Sequence, residues 1–310
     1  MLNDDDLDVR GAQPHHPAAL TRLASFDQYR SLLLSIAYRM LGSVGDAEDM
    51  VQETFIRWQQ ARDDDIRSPR AFLVTIISRL CINHLQSARV KREEYVGQWL
   101  PEPLATDPGN NPFGIIKVDE SLSLAFLLLL ERLTPVERAV FLLREVFEYE
   151  YSQIADVVDQ SEANCRQILR RARQHVSAVH PRFKPSAQQQ NELLERFRQA
   201  SASGDMDQLL ALFSKDIVLD SDGGGKAIAV PNLVYGADRV ARAIVRGFRK
   251  LLPTNLVQRI LQVNGAPSVV SYFNEQPHST LTPDAAAGHI RAIYIVTNPE
   301  KLAHLPPLPL

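Results

Sequence analysis

Tyr151-Ser152-Gln153-Ile154-Ala155-Asp156-Val157-Val158-Asp159-Gln160-Ser161-Glu162-Ala163-Asn164-Cys165-Arg166-Gln167-Ile168-Leu169-Arg170-Arg171-Ala172-Arg173 is the stretch on which the fold reading turns. Followed from Ser161 at about 100° per residue, Cys165, Ile168, Leu169, Ala172, Val176 and Val179 fall on one side of a helix. Asn164, Gln167, Arg170, Arg171 and Gln174 fall on the other. One face packs and the other presents hydrogen-bond donors. Before this helix, Tyr151 to Val158 spells a shorter one, Asp159-Gln160 a tight turn, and Ser161 an N-cap. Two helices joined in this way make a helix-turn-helix.

In that motif the second helix enters the DNA major groove by its N-terminal end, where Arg and Gln can pair with guanine and adenine edges. Glu162, Asn164, Gln167 and Arg171 are therefore expected at or beside base edges. Arg166, Arg170 and Arg173 suit phosphates, which orient the protein without reading sequence. From Ala163 through Asn191 the chain has six Lys or Arg and no acid, although its overall formal charge is −3. Any nucleic-acid surface must be local.

Working outward, helical periodicity spans Ser121 to about Val179, and Thr134-Pro135-Val136-Glu137 has the form of a capping box with Pro at the first helical position. Pro181 and Pro185 close the segment. A second helical region runs from Phe26 to about Arg92, with Asp46 expected to cap a helix that carries Val51, Phe55 and Trp58. On the helix from Arg70, Leu73, Ile76, Ile77 and Leu80 share a face. Ser78, Arg79, Gln86 and Arg89 are expected opposite, with Lys91 and Arg92 at the end. Between the two regions, Trp99-Leu100-Pro101-Glu102-Pro103 and the turn-rich run Asp107 to Pro112 read as a partly extended linker. Beyond the polar run Ser186 to Gln190, helices at Glu192 to Ala200 and Met206 to Phe213 precede β-rich runs. These are Ile217 to Leu219, Leu256 to Val263, Ser268 to Phe273 and His289 to Val296, giving an α+β domain.

The chain has 310 residues, 45% hydrophobic and 23% charged, enough for more than one core. Its 14 Gly and 19 Pro exclude collagen-like and wholly disordered chains. Cys81 and Cys165 form no CxxC pair, so neither a disulfide framework nor a zinc site is expected. The first 22 residues, with four acids before Arg10, are expected to form an untargeted tail. The apolar run Leu122 to Leu130 falls far short of the roughly 20 residues that span a bilayer. A cytoplasmic protein with no membrane partner is the expectation.

Three ordered motifs carry a resemblance. Asp46-Ala47-Glu48-Asp49-Met50-Val51-Gln52-Glu53-Thr54-Phe55 resembles the region 2 signature of the extracytoplasmic-function sigma factors, and Ser68-Pro69-Arg70-Ala71-Phe72-Leu73 its following helix. Ser161 to Gln167 with Arg171-Ala172-Arg173 is similar to the region 4 recognition helix. Trp99 to Pro103, Asp222-Gly223-Gly224-Gly225-Lys226 and Asn298-Pro299-Glu300-Lys301-Leu302 resemble the subgroup with a C-terminal SnoaL-like domain.

The resemblance implies a multidomain chain: two all-α sigma domains, then an α+β NTF2-like (SnoaL-like) cone. The expected bounds are residues 23–95 for region 2, 96–120 for the linker, 121–184 for region 4 and 187–310 for the cone. Implied partners are promoter DNA and core RNA polymerase, through its β′ clamp helices and β flap. Asp46, Glu48, Asp49, Gln52 and Glu53 would form the clamp-docking face. Arg67, Arg79, Asn83, Gln86, Arg89, Lys91 and Arg92 would hold the opened −10 strand, with Asp63 to Asp65 pointing away, and the recognition helix would read the −35 duplex. Phe141, Leu142 and Val146 are expected in the core rather than on the flap. Phe72 and Asn83 depart from the Trp and Asp that many members carry, and Glu300 from the subgroup's Asp.

In the C-terminal domain Asp220, Asp222, His278 and His289 show no spacing that fixes an acid/base pair. The glycine run lacks the length and following Ser or Thr of a phosphate-binding loop. No catalytic residue, cofactor or metal is expected; a small-molecule ligand is left open. The expected role is regulation in cis, with Trp99, Pro101, Asp222, Gly224, Lys226, Asn298 and Lys301 forming an interface between linker and domain. The competing readings are a one-component, ligand-sensing helix-turn-helix regulator and a SnoaL-type enzyme fused to DNA-binding parts.

Overall fold

A computed structural model of the chain describes residues 17–93, 95–106, 120–177, 186–250 and 255–308. The Asp107 to Pro112 run and Val179, Pro181 and Pro185 lie outside the described residues. The first helical module consists of α1 (Pro17–Leu41), α2 (Val44–Gln60) and α3 (Pro69–Glu93). The cap of α2 is Ser43, whose hydroxyl accepts the Asp46 N–H at 3.2 Å, and not Asp46 itself. Asp46 instead sits in the first turn, where its charge suits the positive end of the helix dipole.

The second module comprises α4 (Leu124–Leu130), α5 (Pro135–Phe141) running into a π-helical turn (Leu142–Val146), α6 (Tyr151–Val158) and α7 (Glu162–Ser177). Thr134 and Glu137 form the capping box of α5, and Asp159, in the left-handed region at φ +53°, turns α6 into α7. Ser161 caps α7 by accepting the Asn164 N–H at 3.2 Å.

These two modules do not fold around separate cores. Leu33, Ile36, Leu73 and Ile77 share one apolar cluster with Leu130, Val140, Leu142, Cys165 and Leu169. Helix α3 is packed on two sides, against α1 and α2 and against α5 and α6. That accounts for a departure from the expected amphipathic face: Ser78 is buried, not exposed.

The C-terminal domain opens with α8 (Ala187–Ser203) and α9 (Met206–Leu212) and ends with α11 (Pro299–Leu302). Between them lie β1 (Phe213–Asp222), β2 (Val234–Tyr235), α10 (Ala237–Lys250), β3 (Val257–Val263), β4 (Ala266–Phe273), β5 (Gln276–Ala286) and β6 (His289–Val296). The sheet order is β2-β1-β6-β5-β4-β3, with β1 and β6 parallel and every other pair antiparallel. Because strand side chains alternate, neighbours serve opposite faces. Val269 packs with Phe197 and Ile244 under the helices, whereas Val270 packs with Leu100 and Leu302 on the other face. That second face is covered by the linker.

Candidate promoter, polymerase and linker surfaces

Helix α7 buries Cys165, Ile168, Leu169, Ala172 and Val176. Its other side exposes Glu162, Arg166, Gln167, Arg170, Arg171 and Arg173, with Asn164 half-buried. Acids already steer several of these cations. Arg166 pairs with Glu162 at 2.9 Å and lies over the Tyr151 ring, and Arg173 pairs with Glu145 at 2.7 Å. Arg171 Nε stands 4.0 Å from Glu137. At exposed positions such pairs contribute little and can be exchanged for phosphate oxygens.

On α2, Glu48, Asp49 and Gln52 are exposed, and Asp46 and Glu53 half-buried. They form an acidic stripe of the kind a basic helical partner would fit. The sequence reading missed Ile56, an exposed apolar side chain (43%) one turn beyond Gln52.

Of the residues expected to hold the opened strand, Arg67, Asn83 and Gln86 are exposed. The side chains of Arg89, Lys91 and Arg92 lie outside the described residues. Asp63 pairs with Arg22. Arg79, also exposed, is engaged by the chain itself. Its Nε donates to the Val157 carbonyl at 2.9 Å and its Nη2 to the Asp156 carbonyl at 2.6 Å. These are C-terminal carbonyls of α6, left without helical partners and carrying the negative end of the dipole. The same seam contains Arg70 donating to Tyr149 Oη at 3.1 Å, Arg39 to Ser121 Oγ at 2.7 Å and Arg138 to the Met40 carbonyl at 2.6 Å. Phe141 and Leu142 are buried in this core, and Val146 packs partly buried against it.

The linker meets both modules and the C-terminal domain. Asp222, fully buried, accepts the Tyr95 hydroxyl (2.6 Å) and the Gly224 N–H (3.0 Å) on Oδ1, and the Leu100 N–H (2.8 Å) on Oδ2. Lys301 donates to the Leu100 carbonyl at 2.5 Å and lies over the Trp99 and Tyr95 rings, 4.3 and 5.0 Å from their centroids. Asn298 caps α11 through the Glu300 N–H and donates to Tyr95 Oη at 3.0 Å. Lys226 pairs with Glu300. Gly224, at φ +58°, admits no side chain: a Cβ there would stand 2.3 Å from Asn298 Nδ2. The structure thus brings Trp99, Asp222, Gly224, Lys226, Asn298 and Lys301 together.

The opposite side of the linker lies on the first module. Gly42 (φ +68°) leaves room for Trp99, whose Cη2 would stand 2.7 Å from a Cβ at position 42, and Pro101 is next to it. Glu102 accepts the Val44 N–H at 2.5 Å and the Ser43 hydroxyl at 3.1 Å; burial nonetheless raises its pKa above the usual carboxylate value. Asn264, buried at φ +53° in the β3–β4 turn, was not singled out from sequence. Its amide donates to Tyr38 Oη (2.7 Å) and to the Leu122 carbonyl (3.0 Å), and accepts the Leu104 N–H (2.9 Å). One side chain joins first module, linker, second module and C-terminal domain. Tyr95, Tyr38 and Asn264 lie outside the quoted motifs, and of the three only Asn264, beside Gly265, stands next to turn punctuation.

Among the described residues no group of three or more His, Cys, Asp or Glu could hold a metal, and both cysteines are buried free thiols. No described helix is long and apolar enough to cross a membrane.

The family model Sigma-70 region 2 matches residues 26–90, and the model Sigma-70, region 4 matches residues 123–176. The chain is 34% identical to the ECF RNA polymerase sigma factor SigJ of Mycobacterium tuberculosis, over 92% of this chain and 94% of that one. It is 32% identical to the probable ECF RNA polymerase sigma factor SigI of the same organism, over 90% and 94% of the two chains. The crystal structure of M. tuberculosis SigJ superposes with a TM-score of 0.74 at 30% identity, covering 93% of this chain and all (100%) of that one.

Proposed function

Because the chain belongs to the extracytoplasmic-function RNA polymerase sigma factors with a C-terminal SnoaL-like domain, we propose that this compact arrangement is its closed form, held by the C-terminal domain through the linker. As a sigma factor the chain associates with core RNA polymerase, recognises promoters and initiates transcription. The regulator reading is not favoured, since that function needs no region 2. The finer assignments are proposals. The α2 stripe from Asp46 to Glu53 docks on the β′ clamp helices in the cytoplasm, α7 reads the −35 duplex, and α3 holds the opened −10 strand. The C-terminal domain binds and restrains rather than catalyses.

The observation that carries the closed-form reading is Arg79 on the C-terminal carbonyls of α6. A cation expected to hold the non-template strand is bonded to the module that should sit on the −35 element. The two elements lie about 25 base pairs apart, roughly 85 Å along B-DNA at 3.4 Å per base. Packed helices stand about 10 Å apart. The modules must separate before both can be engaged, and the linker sets how far.

Run-off transcription with purified core enzyme tests this. Trp99→Ala removes the ring wedged between Gly42 and Lys301, so it should raise transcript yield per bound sigma without altering affinity for core enzyme. Equal or lower yield at unchanged core affinity would contradict the restraint.

A further inference from the structure

The C-terminal domain encloses a cavity of about 360 Å³ between α10, the segment 227–230 and the helix-covered face of the sheet. Leu219, Ile244 and Leu281 supply apolar wall, while Gln258, His278 and Ser279 supply polar groups. None of the described lining residues is Asp, Glu, Lys or Arg. Strand alternation is the reason: β1 turns Leu219 and Ser221 into the cavity and sends Asp220 and Asp222 to the opposite face, where Asp222 meets the linker. A charged occupant would find no Asp, Glu, Lys or Arg among the described lining residues to pair with, whereas a neutral, largely apolar molecule with one polar end matches the wall.

The cavity wall is also the back of the linker interface. Segment 223–230 faces both ways. Ala227, Ile228 and Val230 line the cavity, and three residues earlier Gly224 closes on Asn298 and Tyr95. Hydrogen bonds make the segment continuous with the sheet: Val230 N–H to Ser221 Oγ at 2.7 Å, and Thr297 Oγ1 to the Ile228 and Asp222 carbonyls at 3.1 and 3.3 Å. Ile228, 68% exposed, stands at the rim.

We infer that this cavity is a binding site for a neutral, mainly apolar small molecule with a single hydrogen-bonding end, and that its occupancy is transmitted through segment 223–230 to Tyr95–Leu100. The site itself stands without the closed-form reading; only the effect on the linker rests on it.

The test uses Nile red, a neutral apolar fluorophore, with the full-length chain. Saturable one-site binding is expected, displaced by 1-decanol and at least tenfold less well by decanoate at pH 8. Gly247→Phe should abolish it, because a Cβ at position 247 meets nothing within 4 Å and the ring would fill the cavity. Ile228→Glu, at a rim position whose side chain is 68% exposed, should weaken binding at least fivefold. Non-saturable fluorescence, or binding untouched by Ile228→Glu, would overturn the site, and preference for decanoate would overturn the ligand class. With Nile red bound, amide exchange should change at 223–230 and 95–100; no change there would overturn the transmission. None of these outcomes bears on whether the chain initiates transcription, so the two readings fail separately.

Discussion

The ammonium of Lys301 lies 2.6 Å from Asp222 Oδ2, and both side chains are withdrawn from solvent. Each also bonds the same linker residue, Leu100, one through its N–H and the other through its carbonyl. The pair therefore clamps a backbone that crosses between domains. Buried pairs of this kind are poor sources of net stability against an apolar substitute, yet breaking one partner is costly because the other charge is left without compensation.

Lys301→Met should accordingly lower the stability of the C-terminal domain by about 3–5 kcal/mol. Asp222→Asn combined with Lys301→Met should recover part of that loss, since no bare carboxylate remains. Urea midpoints of the two variants check the difference; equal losses would mean that the pair adds only packing.

Gly42→Ala introduces a Cβ at φ +68° and 2.7 Å from Trp99 Cη2. The left-handed backbone alone costs roughly 1–2 kcal/mol, and the ring must move off Lys301. Limited proteolysis should cut within 95–106 faster than in the parent chain. Gly45→Ala, where a Cβ meets nothing within 4 Å, is the control and should cut at the parent rate.

Asp220 is half-buried and stands near the charge of Asp222, and these two effects, desolvation first, raise its pKa from 3.8 to about 6. Between those values the folded chain keeps a proton that the unfolded chain has released. Stability contributed by Asp220 is then present below about pH 4 and is lost as pH rises through about 6. Thermal unfolding should show a fall over this window that Asp220→Asn flattens; an identical profile in both would contradict the assignment.

On DNA, Arg171→Ala should weaken binding at one −35 position by about 1–3 kcal/mol. Arg173→Ala should lower affinity across sequences and reduce the logarithmic salt slope by about one. Binding measured on a set of single-base promoter variants at two or more salt concentrations separates these patterns.

Sequence legibility followed the strength of local signals. Helix α7 was readable because a Ser cap, a tight Asp159-Gln160 turn and 3.6-residue spacing coincide, so each side chain's face could be assigned from position alone. Helix α10 was overlooked although Val240, Ala241 and Ile244 pack inward; its four Arg residues, at 239, 242, 246 and 249, diluted the apolar count. Strand β5 was hidden by Pro277 and Pro283, which sit at a register shift and near the next one. Ser78 was misplaced because a helix packed on two sides has no single polar face. Asn264 joins residues more than 140 positions away from it, and no local pattern encodes such a contact.

The proposal that the two sigma modules separate in use is tested most directly by energy transfer between dyes on Gln59→Cys in α2 and Gln174→Cys in α7. Both positions are exposed, and the native thiols are buried. Transfer should be efficient in the free chain and should collapse when core polymerase and promoter DNA are added, in the sample that yields run-off transcript. A transcribing complex with the transfer of the free chain would contradict the closed form.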